Sequence, residues 1–422
     1  MQESHSNESQ IQIRLVTKQS EYAVPDIPLS VPANIETAGL NELLNHLLKE
    51  NKPDFLKQKQ FDFLASGELV RVSLIEHLQE RSVSVETTVE VEYIQVTPAP
   101  QPEDSILHED WVAAIETANR WMLIGCYDHS VSIRTPHGKP VTSSKEHKNI
   151  VKDVAWVDQQ QPSKGLVSVS HDLTGILWAW EEGTDKIEPR VKLRGHERGI
   201  DTVAVSPNSN RLATGGWDTN LKIWSASLDG DDNGEPASKK KKGPSDISTR
   251  TPIHTLNGHK ECISSINWTN NHVLYSASMD HTIKFWDAEL CGIKNEIVDQ
   301  KAFLSSSWSA LSNTLLASSA DRHIRLYDPR STEGSVCKVM FTSHTLWVSS
   351  VAWSKYSEHL FLSGSYDSTV KMWDTRSPKA PLYNLQGHEG QVLVVDWSNS
   401  KYLVSGGTDN YIHIFKNKQI FK

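Results

Sequence analysis

The sequence predicts a mainly β fold, a seven-bladed propeller preceded by a small α+β domain, and three observations carry that prediction. The stretch SASMDHTIKFWD at Ser276–Asp287 recurs, placing Asp128, Asp172, Asp218, Asp280, Asp321, Asp367 and Asp409 in one register at intervals of 44, 46, 62, 41, 46 and 42 residues. Repeats of about 40–45 residues are the sequence mark of propeller blades. Six residues after each aspartate stand Arg134, Trp178, Trp224, Trp286, Tyr327, Trp373 and Phe415, six of them aromatic. A histidine precedes the aspartate by 20 to 25 residues in six units, as His108, His147, His196, His259, His344 and His388.

These residue types suit a buried polar chain. An aspartate in a strand-to-strand turn accepts hydrogen bonds from nearby backbone N–H groups and from a histidine on the preceding loop. The imidazole can pass the interaction to the small hydroxyl four residues before the aspartate, Ser168, Thr214, Ser276, Ser363 or Ser405. That hydroxyl can meet the indole N–H of the tryptophan. The chain is complete in, among others, His196, Thr214, Asp218, Trp224; His259, Ser276, Asp280, Trp286; and His344, Ser363, Asp367, Trp373. Losing one member leaves the others unsatisfied at about 1–3 kcal/mol each. The first unit, with Ile124 and Arg134, and the fifth, with Ala317 and no upstream histidine, are expected to be weaker. Because these residues recur once per blade rather than converging, they read as structural rather than catalytic.

Before the repeats, IQIRLVTK alternates apolar and polar residues and YAVPDIPLSVP is a second extended run, together a hairpin. GLNELLNHLLKEN sets Leu40, Leu43, Leu44, Leu47 and Leu48 at helical spacing. Two short strands about Ser66 and Gly67, a short helix in SLIEHLQE and a closing strand in TTVEVEYIQV complete a ubiquitin-like roll over 10–96. Residues 97–104 read as a Pro-rich linker. The propeller is assigned 105–418, and residues near Ser105 are expected to supply the strand that the last unit lacks. The 62-residue interval contains an insert, 227–252, expected to be disordered, with a basic run at Lys239, Lys240, Lys241 and Lys242. That run is a candidate nuclear import signal or RNA contact, set against a plain solvated loop.

The chain of 422 residues has a net charge of −9. Residues 1–100 hold 8 Lys or Arg against 15 Asp or Glu, so acidity belongs to the N-terminal part. This speaks against bulk phosphate binding there and for a basic or metal-bearing partner. Cys126, Cys262, Cys291 and Cys337 are scattered singly, which implies neither a zinc site nor a disulfide framework. With no apolar run near 18 residues and no signal-peptide pattern, the chain reads as soluble and intracellular, without a membrane partner. No phosphate loop, nucleophile elbow or metal ligand cluster stands out, so the expectation is a binding scaffold, not an enzyme, with no cofactor and no metal held by this chain alone.

The Gly-His pairs, turn aspartates and Trp-Asp pattern resemble the WD-repeat family of β-propellers. The N-terminal FDFL, GELVR and VEVEY are similar to the ubiquitin-like domain that precedes the propeller in Notchless and in the WD-repeat subunit of the PeBoW ribosome-assembly complex. That resemblance implies partnership with Pescadillo and the Block of proliferation protein on the pre-60S particle, large-subunit maturation with pre-rRNA processing, and residence in nucleolus and nucleoplasm. It also implies docking on the Midasin ATPase. There Glu86 matches the family's carboxylate that completes a Mg²⁺ held by the partner, oxygen being what that cation demands; otherwise Glu86 is one more solvated acid. Direct RNA contact stays open. Notchless is the near alternative, though it resembles an eight-bladed ring; a ubiquitin-ligase substrate receptor is the alternative from another class.

Overall fold

A computed structural model describes residues 10–51, 58–81, 87–158, 163–184, 186–228, 247–330 and 336–418. The chain divides into two compact units, Met1–Pro98 and Ala99–Lys422.

In the first unit β1 (Gln10–Val16) and β2 (Pro28–Pro32) form the hairpin that their alternation predicts. Helix α1 (Thr37–Asn51) buries Leu40, Leu44 and Leu48 completely, the stripe read from spacing. Strands β3 (Phe61–Ala65) and β4 (Glu68–Leu69) turn about Ser66 and Gly67, both at positive φ (54° and 79°), as a two-residue hairpin loop demands. After α2 (Leu74–Glu80), β5 (Val89–Gln95) enters the middle of the sheet, giving the order β2-β1-β5-β3-β4 with β1 and β5 parallel. Two asparagines one turn apart tie α1 to the run into β3. Asn41 Oδ1 accepts the Phe61 N–H at 2.7 Å and Asn45 Oδ1 accepts the Lys59 N–H at 3.1 Å.

Among the described residues the second unit contains seven sheets of four antiparallel strands each, the second of them extended by a fifth, parallel strand. Their first strands are Val112–Ala118, Val151–Asp158, Ile200–Val205, Ile263–Trp268, Phe303–Ser309, Val348–Trp353 and Val392–Asp396. Each first strand lies beside that of the next sheet, and the seventh lies beside the first, so the circuit is closed. The core is divided accordingly into apolar clusters, each between two consecutive sheets. One such cluster joins Val112 and Ile124 of the first sheet to Val404 and Ile412 of the seventh.

The seventh sheet takes its outer strand from the far end of the unit: β6 (Gln101–Leu107) pairs with Tyr411–Lys416, Ser105 standing opposite His413. Strand therefore begins inside the stretch 97–104 expected to be a linker. Pro102 is accommodated because β6 is an edge strand and the register shifts beside it, between Ile414 and Phe415. The insert departs from expectation as well. Within 227–252, Ser248–Arg250 forms a strand parallel to the outer strand of the second sheet, Ile187–Arg194. Arg250 is buried, its Nη1 donating to the carbonyls of Ser225 and Ser227 at 2.8 and 2.9 Å. Polar composition masked a strand whose partner lies in another sheet.

Candidate functional site

In the second, third, fourth, sixth and seventh sheets the histidine and the turn aspartate meet. His147, His196, His259, His344 and His388 place Nδ1 at 3.0, 2.7, 2.8, 2.9 and 2.9 Å from a carboxylate oxygen of Asp172, Asp218, Asp280, Asp367 and Asp409. Their Nε2 atoms lie 2.7–2.9 Å from the hydroxyls of Ser168, Thr214, Ser276, Ser363 and Ser405. Trp178, Trp224, Trp286 and Trp373 each donate Nε1–H to that hydroxyl at 2.8 Å. One protonation pattern gives every hydrogen an acceptor: Nδ1–H to carboxylate, hydroxyl O–H to Nε2, indole N–H to hydroxyl oxygen. The imidazoles are then neutral. In the sixth and seventh sheets burial holds His344 and His388 below the ordinary histidine value.

The aspartates take more than the histidine. The N–H after each histidine, from Lys148 to Glu389, also donates to the carboxylate at 2.9–3.2 Å. Burial alone would raise these carboxyls; hydrogen bonds from His147, Thr174 and the Lys148 amide outweigh it at Asp172 and hold it below the usual range, and Asp280 and Asp367 follow suit. The residue after each aspartate has positive φ, as at Leu173, Thr219, His281, Ser368 and Asn410.

The fifth sheet is not deficient. Asp299 stands where the histidine would be, and Arg325 spans the gap: Nε is 3.0 Å from Asp299 Oδ2, and Nη1 lies 3.1 Å from Asp321 Oδ1 and 2.6 Å from Ser319 Oγ. Tyr327, at the tryptophan place, donates its hydroxyl to Asp299 at 2.6 Å. Burial opposes ionisation of Asp321, but Arg325 holds its carboxyl down to about 2. The weakness expected from the missing histidine is thus compensated by an ion pair; the signal was an acid at the histidine's own offset. In the first sheet the His108 ring reaches Cys126 Sγ, at 3.6 Å, and Lys145 supports Asp128 at 2.8 Å.

A second set of polar residues escaped the sequence reading. Glu116, Asp153, Thr202, Ser305, Ser350 and Asp396 lie on first strands and accept the N–H of Trp156, Val203, Ile266, Val351, Val395 and Thr117 on the adjoining sheet, at 2.7–3.4 Å. They stitch neighbouring sheets round the circuit. The available signal was a polar residue near the middle of an otherwise apolar strand, as Asp153 and Thr202 are. The first strands enclose a cavity of about 960 Å³. Burial in its wall pushes Glu116 up to about 7 and Asp153 up to about 6.

Trp217 precedes the turn aspartate of its sheet, while Trp111 and Trp347 pair with Tyr127 and Tyr366, which do the same; the tyrosine N–H groups donate to the tryptophan carbonyls at 2.9 Å. All therefore sit at one end of the sheets. Trp111, Trp217 and Trp347 are 43, 46 and 49% exposed. Exposed indoles are what protein interfaces use. Glu86 and Lys239–Lys242 lie outside the described residues. Among the described residues no helix is long and apolar enough to cross a membrane.

Repeats built on this turn, behind a domain of this order, define a WD-repeat protein with an N-terminal NLE domain: residues 11–78 match the NLE (NUC135) domain, and 187–225, 250–287, 335–374 and 379–416 match the WD domain, G-beta repeat. The chain is 45% identical over 412 residues to a ribosome biogenesis protein WDR12 homolog of Aedes aegypti, covering 98% of this chain and 96% of the relative. It is 44% identical over 417 residues to that of Drosophila mojavensis, covering 99% and 98%. The chain belongs to the family of ribosome biogenesis WDR12 homologs, the WD-repeat family that its N-terminal motifs and repeats resemble.

Proposed function

We propose that this chain is a non-enzymatic scaffold in ribosome biogenesis, acting in large (60S) subunit maturation and pre-rRNA processing in the nucleolus and nucleoplasm. The observation that carries this reading is the nearly end-to-end similarity to proteins named for ribosome biogenesis. We further infer that the seven sheets are the blades of one propeller, supported by the closed circuit of first strands. The N-terminal unit is ubiquitin-like in the same sense, supported by its mixed sheet with β1 and β5 parallel at the centre. The recurring polar chains have both histidine nitrogens engaged, which suits structure rather than acid–base chemistry, and the exposed indoles suit protein binding.

In this reading the propeller holds the Block of proliferation protein together with Pescadillo, and the N-terminal domain docks on Midasin through Glu86 and a Mg²⁺ held by the partner, so that the assembly complex is released from the particle. Affinity purification of the full chain with identification of bound proteins, combined with gradient sedimentation, tests this: co-migration with large-subunit precursors is expected. Recovery with a cullin and absence from those precursors would replace the reading with a ligase receptor. For the docking step, Glu86→Ala should abolish Midasin capture and spare the propeller partners. Glu86→Asp should also bind poorly, because Mg²⁺ requires oxygen at about 2.0–2.1 Å in near-octahedral geometry, and chelation should release the complex. Tolerance of Asp together with insensitivity to EDTA would leave Glu86 an ordinary surface acid.

A further inference from the structure

The seventh sheet differs from its counterparts four residues after the turn aspartate. That place holds Ile176, Lys222, Lys284 and Lys371 in the second, third, fourth and sixth sheets, but His413 in the seventh. The His413 ring meets the His388 ring edge-on, with centroids 4.4 Å apart and planes at 83°. One nitrogen, Nδ1, lies 2.7 Å from Ser105 Oγ on β6. The other, Nε2, is buried and has no hydrogen-bond partner among the described residues. An unused imidazole nitrogen therefore sits beside a histidine–carboxylate pair. One ligand atom each from His388, Asp409 and His413 lie within 4.8 Å of one another.

We propose that His388 Nδ1, a carboxylate oxygen of Asp409 and a ring nitrogen of His413 form a binding site for a d-block divalent cation, with Zn²⁺ as its natural occupant. The ion takes the place of the proton that His388 Nδ1 shares with Asp409; the imidazole stays neutral because its proton moves to Nε2, which then donates to Ser405 Oγ as that hydroxyl turns its own hydrogen away. His388 and Asp409 need little rearrangement, and the His413 nitrogen, within 4.8 Å of both ligand atoms, has to close on them. Two ligands of a tetrahedral zinc at about 2.0–2.1 Å stand about 3.3 Å apart, against 2.9 and 3.1 Å now between Nδ1 and the two Asp409 oxygens. The outer partners are already in place. His388 Nε2 is 2.9 Å from Ser405 Oγ and His413 Nδ1 is held by Ser105, the kind of second contact that fixes the orientation of metal-bound imidazoles.

Charge agrees with this assignment. Lysine at the equivalent place would repel a cation in the third, fourth and sixth sheets, and Ile176 offers no ligand in the second. Three protein ligands leave a fourth position for water. The set is hard to read from spacing, since His388 belongs to the loop before its sheet and His413 to the strand that β6 covers. Because His413 stands opposite Ser105, an ion there would brace the closing pair of strands.

The test uses the full chain freed of metal with a chelator and titrated with Zn²⁺, and with Co²⁺ as a spectroscopic probe. One tight equivalent, the visible bands of a low-coordinate Co²⁺ site and an upward shift in Tm are expected. His413→Gln should lose the tight equivalent and the Tm shift, whereas His272→Gln, at an exposed pair with Glu289, should keep both. Ser105→Ala retains every ligand and should weaken affinity by about 10–100-fold, the usual cost of losing an outer partner. Absence of a tight equivalent in the parent chain, or undiminished binding in His413→Gln and Ser105→Ala, overturns the proposal.

Discussion

Replacing Ser276 with alanine removes the single oxygen that joins His259 to Trp286. In the folded chain that hydroxyl lies 2.7 Å from His259 Nε2 and 2.8 Å from Trp286 Nε1, and the serine is fully buried. The substitution leaves one buried acceptor and one buried donor unpaired, at about 1–3 kcal/mol each, so the expected loss is about 3 kcal/mol. For a unit larger than 250 residues this corresponds to a fall in Tm of about 6 °C. Unfolding followed by tryptophan fluorescence measures the total. Hydrogen exchange of the Lys260 amide, which donates to Asp280 at 2.9 Å, reports the local loosening. A double-mutant cycle with Trp286→Phe sharpens the test: once the indole N–H is gone, deleting the hydroxyl strands one group rather than two, so the losses should fall short of additivity by about 1 kcal/mol. A loss below about 0.5 kcal/mol, or additivity within about 0.3–0.5 kcal/mol, would refute the connected chain.

Arg325→Met should cost about 3–5 kcal/mol at pH 7, because it leaves Asp299 and Asp321 facing each other without their cation. Asp321 has a depressed folded value of about 2, so its contribution is present above the ordinary carboxylate value near 3.8 and is lost as pH falls through about 2. The penalty should therefore be smaller at pH 3 than at pH 7, and equal urea midpoint shifts at the two would contradict the ion-pair account. Glu116 has the opposite sign. Raised from 4.5 to about 7, its contribution is present below the unfolded value and lost as pH rises through about 7. Glu116→Gln should then stabilise the chain at pH 8 by about 1–2 kcal/mol, after discounting for the open cavity beside it, and the gain should vanish near pH 4.5; a pH-independent Tm difference would count against it. Replacing Lys239–Lys242 with alanine should lower nuclear accumulation of a fluorescent fusion without moving Tm, and unchanged localisation would assign the run to solvated loop.

What could be read from the sequence was whatever repeats. A turn aspartate every 41 to 46 residues, outside the one long interval, fixes where the strands reverse, and constant offsets fix which histidine, hydroxyl and tryptophan share its sheet. Asp299 obeys the same offset but is an acid where the other units have a base, so residue type hides what position shows. The stitches from Asp153 to Val203 or Thr202 to Ile266 join residues 50 and 64 positions apart on different sheets, so neither periodicity nor composition exposes them. Ser248–Arg250 was hidden because its neighbours are rich in Gly, Pro and Lys, and composition averages over such a segment. Glu86 is legible only through family resemblance, since nothing local separates it from other acids of the same domain.

The pairing of β6 with Tyr411–Lys416 has a consequence for synthesis. Ser105 and His413 are 308 residues apart in the chain. At about 5–20 residues per second, the first partner leaves the ribosome some 15–60 s before the second exists. Throughout that interval the seventh sheet is incomplete, and an edge strand with unpaired N–H and C=O groups is open to pairing with the wrong chain. Emergence of Tyr411–Lys416 is thus the event that completes the seventh sheet, and a chain cut short before Tyr402 would have most of its sheets formed and no partner for β6.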